Sequence, residues 1–308
     1  MTDQIIKSLR LDHWFKNIFI IPGFLASFFF IGNYENLSEN LLNLFLCLLS
    51  SSLAASSNYL INEHLDSKYD KFHPIKKKRS FVKKKISLSS LLSVYFLLVT
   101  SSFLLIIGFN FFYKITLFLF IVSGWFYNIP PIRTKDKPYL DIISESFNNV
   151  IRFLLGWFIL IDTIFPPSSL LIVFWTGGAF LMTMKRYAEY KYLNNKQLAF
   201  KYRKSFKYYD ESILLCLSFF FAMCVPFFLG IFLIKYKIEF ILTFPFIVGL
   251  FTVYFRLGLS KNSIAQTPEK LYRSKELILL IFLIIFTSIY ALQNRLNFLN
   301  IFLAPIEL

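Results

Sequence analysis

Nine stretches of this chain, at about residues 15–32, 41–61, 88–108, 111–128, 139–161, 168–185, 213–234, 238–255 and 277–293, stay apolar for as long as a helix needs to cross a bilayer. Such a chain has few folds open to it. Hydrocarbon offers no water to satisfy backbone N–H and C=O groups, so each span must close its own hydrogen bonds as a helix. Composition agrees, because 56% of the 308 residues are hydrophobic and 20% aromatic, with a mean hydropathy of +0.58, well above a soluble domain. The expected fold is an all-α integral membrane protein with nine transmembrane helices, a single domain over residues 1–308.

A formal charge of +15 would ordinarily suggest nucleic acid. The distribution of the cations excludes that reading. Loops assigned to one side hold 28 of the 33 Lys and Arg, the other side has only Lys114, Lys235, Lys237 and Arg295, and Arg152 lies inside a window. By the positive-inside rule the N-terminus and the large loops are cytoplasmic, and nine spans leave the C-terminus outside. Lys77, Lys78, Lys83, Lys84 and Lys85 then read as charge beside anionic lipid of the cell membrane. The first apolar run lacks a small-residue cleavage site and is expected to remain as a span. Cys47, Cys216 and Cys224 all fall in windows, with neither disulfide nor metal spacing. There is no Gly-rich phosphate loop, HExxH or nucleophile elbow.

The chemistry concentrates where the second window meets its loop, in Asn62-Glu63-His64-Leu65-Asp66-Ser67-Lys68-Tyr69-Asp70. Asn62, Asp66 and Asp70 stand at i, i+4 and i+8, within about 80° on one helix face. Hard oxygens at that pitch suit Mg2+, which binds one or two carboxylates together with substrate phosphates. The plain alternative is a solvated helix end laced with charge pairs. His73, Lys76 and Arg79 follow closely, and cations beside acids make sense around a polyanion with its metal. His73 precedes Pro74 and can equally shape the turn. A second polar helix end, Lys185-Arg186-Tyr187-Ala188-Glu189, closes the sixth window, which suggests two similar halves with loops 63–87 and 186–212 capping a site at the cytoplasmic surface. The fifth window carries Asp141, Glu145, Asn148, Asn149 and Arg152; four of these, at spacings of 4, 3 and 4, form one polar face. Ionisable groups at that depth line a pocket or knit helices together.

These residues resemble the UbiA superfamily of membrane prenyltransferases, whose first motif reads NxxxDxxxD and whose members have nine transmembrane helices. Asn62, Asp66 and Asp70 match it, as does Tyr127-x-x-Pro130-Pro131-x-Arg133-x-Lys135 with Pro138 and Asp141. The decaprenyl-phosphate phosphoribosyltransferase branch is the nearer likeness. Its features here are Leu9-Arg10-x-x-x-Trp14-x-Lys16-Asn17, then Asp70-x-x-His73-Pro74-x-Lys76-x-x-Arg79, then Lys185-Arg186-Tyr187-Ala188-Glu189 and Arg203-x-x-Phe206-x-x-Tyr209. The chain departs from that branch at Glu63, at Ser80 and in the 127–135 loop.

The resemblance implies a UbiA-like bundle around a central cavity open to the cytoplasmic side. It also implies Mg2+ held by Asn62, Asp66 and Asp70 with Glu63 in support. Lys16, Asn17, His73, Lys76, Arg79, Tyr127, Arg133, Lys135, Glu145, Arg152, Lys185, Arg186, Glu189, Arg203 and Tyr209 are the implied substrate-binding set. The implied partners are an isoprenoid lipid and a soluble diphosphate-bearing substrate. Aromatic prenyltransferases of the superfamily carry a second aspartate-rich motif, whereas Lys185 and Arg186 stand here beside a single acid. That swap suits transfer of a phosphoribosyl group from phosphoribosyl diphosphate to polyprenyl phosphate. Prenyl transfer to an aromatic acceptor is the rival reading, and a transporter or lipid-binding protein the rival of another class.

Overall fold

The computed structural model describes residues 2–31, 36–83, 87–260 and 263–302. Lys84 and Lys85, read above as membrane-surface charge, and the last six residues, which the topology puts outside, lie outside the described residues. Among the described residues nine α-helices run twelve residues or longer. They are α1 (Ile20–Ile31), α2 (Leu37–Asp70), α3 (Leu88–Leu104), α4 (Phe111–Asn128), α5 (Leu140–Trp157), α6 (Ser168–Leu193), α7 (Glu211–Tyr236), α8 (Phe244–Leu259) and α9 (Lys275–Gln293), and no described residue is in a strand.

Among the described residues seven segments are long and apolar enough to cross a membrane: Ile5–Phe30, Leu37–Asp70, Phe111–Asn128, Ser168–Leu193, Glu211–Tyr236, Ile238–Leu259 and Lys275–Gln293. Two of the nine windows fall short for different reasons. Helix α3 has 17 residues, because Leu105–Gly108 of that window form a turn. Helix α5 has 18 residues but carries Asp141, Glu145 and Arg152.

Helices also continue beyond two windows, into stretches read from sequence as loops. The 34 residues of α2 make a rod of about 50 Å at 1.5 Å per residue, against a hydrocarbon core of about 30 Å. Its carboxylate-bearing last turns are therefore a rigid extension of the span. Helix α6 likewise continues through Lys185 to Leu193, followed by short helices at Lys196–Tyr202 and Lys204–Tyr208. Straight-chain and Ala residues favour continuation, and an i,i+3 Arg186–Glu189 pair supports it.

The chain packs as two compact units, Met1–Pro166 with Leu193–Asp210, and Pro167–Tyr192 with Glu211–Leu308. In the first, α1 crosses α5 at Gly23 and Gly156. A methyl on Gly23 would lie 1.9 Å from the Phe153 carbonyl oxygen, and one on Gly156 would lie 2.0 Å from that of Ile20. Two backbones meet there, the contact small residues allow between membrane helices. Leu60 of α2 packs with Leu91 and Tyr95 of α3 and with Phe81. In the second unit Leu229, Phe232 and Leu233 of α7 pack with Ile238 and Leu299. Its outer faces leave Phe219, Phe220, Phe227, Phe282 and Phe286 exposed. Hydrocarbon, not water, solvates a surface of that kind.

Candidate active site

The end of α2 lies in the first unit among cations brought from three other segments. Lys135 lies in the connection between α4 and α5, and its ammonium donates to Asn62 Oδ1 at 2.6 Å and Asn128 Oδ1 at 3.0 Å while lying 2.5 Å from Asp66 Oδ1. Arg133 Nη2 reaches the same Asp66 oxygen at 2.8 Å, its Nη1 reaches the Asn128 carbonyl at 2.8 Å, and its Nε reaches Asp136 at 3.1 Å. The Arg133 backbone, at φ 29°, sits in the left-handed region, a conformation that costs a non-glycine residue of order 1 kcal/mol or more. Three charge-assisted or buried hydrogen bonds hold it there. Asp70 answers to another cation, Arg79, at 2.5 Å.

Around these carboxylates the unit gathers Lys76, Arg79, Arg133, Lys135, Arg203 and Lys204 against Asp66, Asp70, Asp136 and Asp141. Burial pushes the Lys135 ammonium down to about 8, with Arg133 and Arg203 acting in the same direction and Asp66 opposing. The donor set suits a hard divalent cation, because three side-chain oxygens from two helices converge on one positively charged atom, with no sulfur or nitrogen ligand among them. The ammonium of Lys135 stands where such a cation would sit.

Glu63, read as supporting the metal, engages different partners: it accepts from the Phe81 backbone N–H and feels Arg79 and Arg10. His73 Nδ1 accepts from the backbone N–H of Ile75 and of Lys76, both at 3.2 Å. The imidazole thus shapes the turn after α2, the second of its two sequence readings, and its ring packs edge-on to Tyr202. Tyr202 also binds the Lys76 ammonium.

Segment 203–209 is fastened by Asp141, which is fully buried. It accepts from Tyr209 Oη at 2.7 Å and Ser205 Oγ at 3.0 Å, with Arg203 Nη1 at 3.9 Å. Tyr209 Oη in turn accepts from the Tyr139 N–H. Tyr209 is thereby part of the scaffold that carries Arg203. The ring of Tyr127 lies beneath Lys135, 5.5 Å from its nitrogen.

Deeper in the same unit is a second cationic place. The Arg152 guanidinium donates to Asn17 Oδ1 at 3.0 Å and Asn149 Oδ1 at 3.5 Å, over the face of Phe120 at 4.9 Å. Asn17 donates to Ser52 of α2. Lys16 lies 3.9 Å from Glu145 and 5.8 Å from the Tyr59 ring centre. Among the described residues no carboxylate oxygen lies within 4 Å of Arg152, although its side chain is buried.

Lys185, Arg186 and Glu189 belong to the second unit. There Arg186 Nη1 meets Glu189 at 3.0 Å, both side chains almost wholly buried. Sequence reasoning missed Asn128, Asp136 and Tyr202. Asn128 adjoins Tyr127 in a run already singled out, and a carboxamide one residue from a conspicuous aromatic is the signal that could have found it. Tyr202 gave none, because it is one of 17 tyrosines.

With this geometry in view, comparison with known proteins is informative. The sequence model of the UbiA prenyltransferase family matches residues 19–274. A decaprenyl-phosphate phosphoribosyltransferase of Mycolicibacterium smegmatis is 27% identical over 229 residues, 70% of this chain and 65% of that relative's length. A UbiA homolog from Archaeoglobus fulgidus bound to DMAPP and Mg2+ superposes with a TM-score of 0.69 at 18% identity, over 91% of this chain and 99% of the other. The same homolog bound to GPP and Mg2+ gives 0.67 at 19% identity, with the same coverages. At these identities the structural likeness establishes the fold.

Proposed function

From the premise that the chain belongs to the UbiA prenyltransferase family, and is a membrane transferase, we propose that it moves a phosphoribosyl group from phosphoribosyl diphosphate to a polyprenyl phosphate, releasing diphosphate. One observation carries the choice of substrates: the first unit holds two cationic places, one at the α2 carboxylates and one at Arg152, which fits a reaction whose donor and acceptor both bear phosphate. The name of the mycobacterial relative supports the same pair.

In this reading Asn62, Asp66 and Asp70 hold Mg2+, which when bound supplies positive charge to the departing diphosphate. Arg79 and Arg133 add fixed charge at the same place and Lys135 an ammonium on a flexible stem, where stabilisation of developing charge counts most. The bond from ribose C1 to the diphosphate oxygen breaks, C1 acquires oxocarbenium character, and an oxygen of the acceptor phosphate forms the new bond. That phosphate is already an anionic nucleophile, so no general base is required. Arg152, Lys16 and Asn17 seat its head group, with the isoprenoid lying along apolar helix faces. The pocket faces the cytoplasm, where a soluble diphosphate is available, and excluding bulk water protects the electrophile.

The rival is prenyl transfer to an aromatic acceptor, which the prenyl diphosphates bound to the archaeal homolog favour. Purified protein in detergent, given Mg2+ and either phosphoribosyl diphosphate with polyprenyl phosphate or prenyl diphosphate with 4-hydroxybenzoate, separates the two. Diphosphate release and a ribosylated lipid by mass with the first pair alone is the expected result. Release with the second pair alone returns the chain to aromatic prenyl transfer.

A further inference from the structure

Lys135 is held by three side-chain oxygens, those of Asn62 and Asp66 on α2 and of Asn128 at the end of α4. An ammonium has three N–H groups, so these contacts fill its capacity. Asn128 is buried, and its Nδ2 donates to the Gly124 carbonyl at 2.8 Å. That bond fixes the amide with Oδ1 toward the cage, presenting an oxygen that the NxxxDxxxD pattern does not contain. At Gly124 a methyl would lie 2.2 Å from the side-chain amide of Asn58 on α2, so the two helices pack closely there. The α2–α4 contact that places Asn128 opposite Asn62 is thus fixed by close approach. Two neighbouring cations differ in freedom. Arg133 is tied by a planar fork to Asp66, Asp136 and the Asn128 carbonyl, whereas Lys135 ends in a point charge on a flexible stem.

We propose that Lys135 plugs the metal cage of the resting protein and that Asn128 is an additional oxygen ligand of that cage, so that a divalent cation enters far more readily with a diphosphate that draws the ammonium out. This rests on the metal–diphosphate reading given above. A divalent ion and an ammonium within about 3 Å repel strongly even at an effective dielectric near 20, so the two occupy the cage in alternation. The anion gives the displaced ammonium a new partner, and its binding and that of the metal become mutually favourable, as linkage requires. The plug also keeps Asp66 neutralised in the metal-free protein.

The test is binding of Mn2+, followed by electron paramagnetic resonance on the full chain in detergent, with and without inorganic diphosphate. Wild type should bind Mn2+ weakly alone and more tightly with diphosphate. Lys135→Met should bind Mn2+ alone more tightly, by about tenfold if the ammonium fills the cage in nine molecules of ten. Adding Asn128→Leu should remove most of that gain. If Lys135→Met unfolds, Lys135→Gln serves in its place, with monodispersity by size exclusion as the check. Lys135→Met binding no tighter than wild type, while wild type still responds to diphosphate, overturns the plug. A gain that survives Asn128→Leu overturns the role of Asn128. No Mn2+ binding by any variant, even with diphosphate, overturns the metal–diphosphate reading and this inference with it.

Discussion

Asp66 and Asp70 stand one helical turn apart and answer to different cations, Asp66 to Arg133 and Lys135 and Asp70 to Arg79. Each removal should therefore be felt separately. Asp66→Asn and Asp70→Asn are expected to lower kcat by roughly 100-fold or more, the scale of losing a preorganised charge contact, with the protein still inserted and monodisperse. Normal turnover in both would remove the metal-site assignment. On the proposed reading Arg152 binds the other substrate. Arg152→Met should raise the KM for the polyprenyl phosphate about 10- to 100-fold, the range for a lost hydrogen bond to a charged group, and leave the KM for phosphoribosyl diphosphate nearly unchanged. An equal rise in both constants would place Arg152 in the general scaffold.

At the scale of elements, the crossing of α1 over α5 depends on bare backbone at Gly23 and Gly156. Gly156→Ala would force the helices apart and should cost about 1–3 kcal/mol by overpacking, read as a lower Tm in detergent. An unchanged Tm would show that the crossing relaxes freely. The buried Arg186–Glu189 pair of α6 gives a second expectation, because breaking a buried ion pair from one side costs about 3–5 kcal/mol. Arg186→Ala should lower Tm more than the double variant with Glu189→Ala does.

For the whole molecule, the charge distribution makes a topological statement that can be measured. In a background lacking Cys47, Cys216 and Cys224, a cysteine at Lys77 should be labelled by an impermeant reagent only from the cytoplasmic side, and one at Lys235 only from the opposite side. Labelling of both from one face would remove an odd number of spans between them. Much of the architecture was legible in the chain, because the bilayer makes hydropathy and length nearly sufficient: helix α2 follows from its apolar run, and the i, i+4, i+8 spacing sets Asn62, Asp66 and Asp70 on one face. Helix ends were less legible. Nothing in an apolar window says that α2 continues to Asp70 or α6 to Leu193, since propensity and pair contacts decide that beyond the membrane. What the sequence by itself determined is a membrane-spanning helical chain with oxygen ligands and cations at a helix end, because those properties are local and periodic. Only the tertiary structure decided that Asn128, 66 residues after Asn62, shares its cation. It likewise turned His73 inward to shape a turn, and set Arg152 against the carboxamides of Asn17 and Asn149. Those outcomes depend on which helices approach closely enough for side chains remote in sequence to meet, which no local pattern encodes.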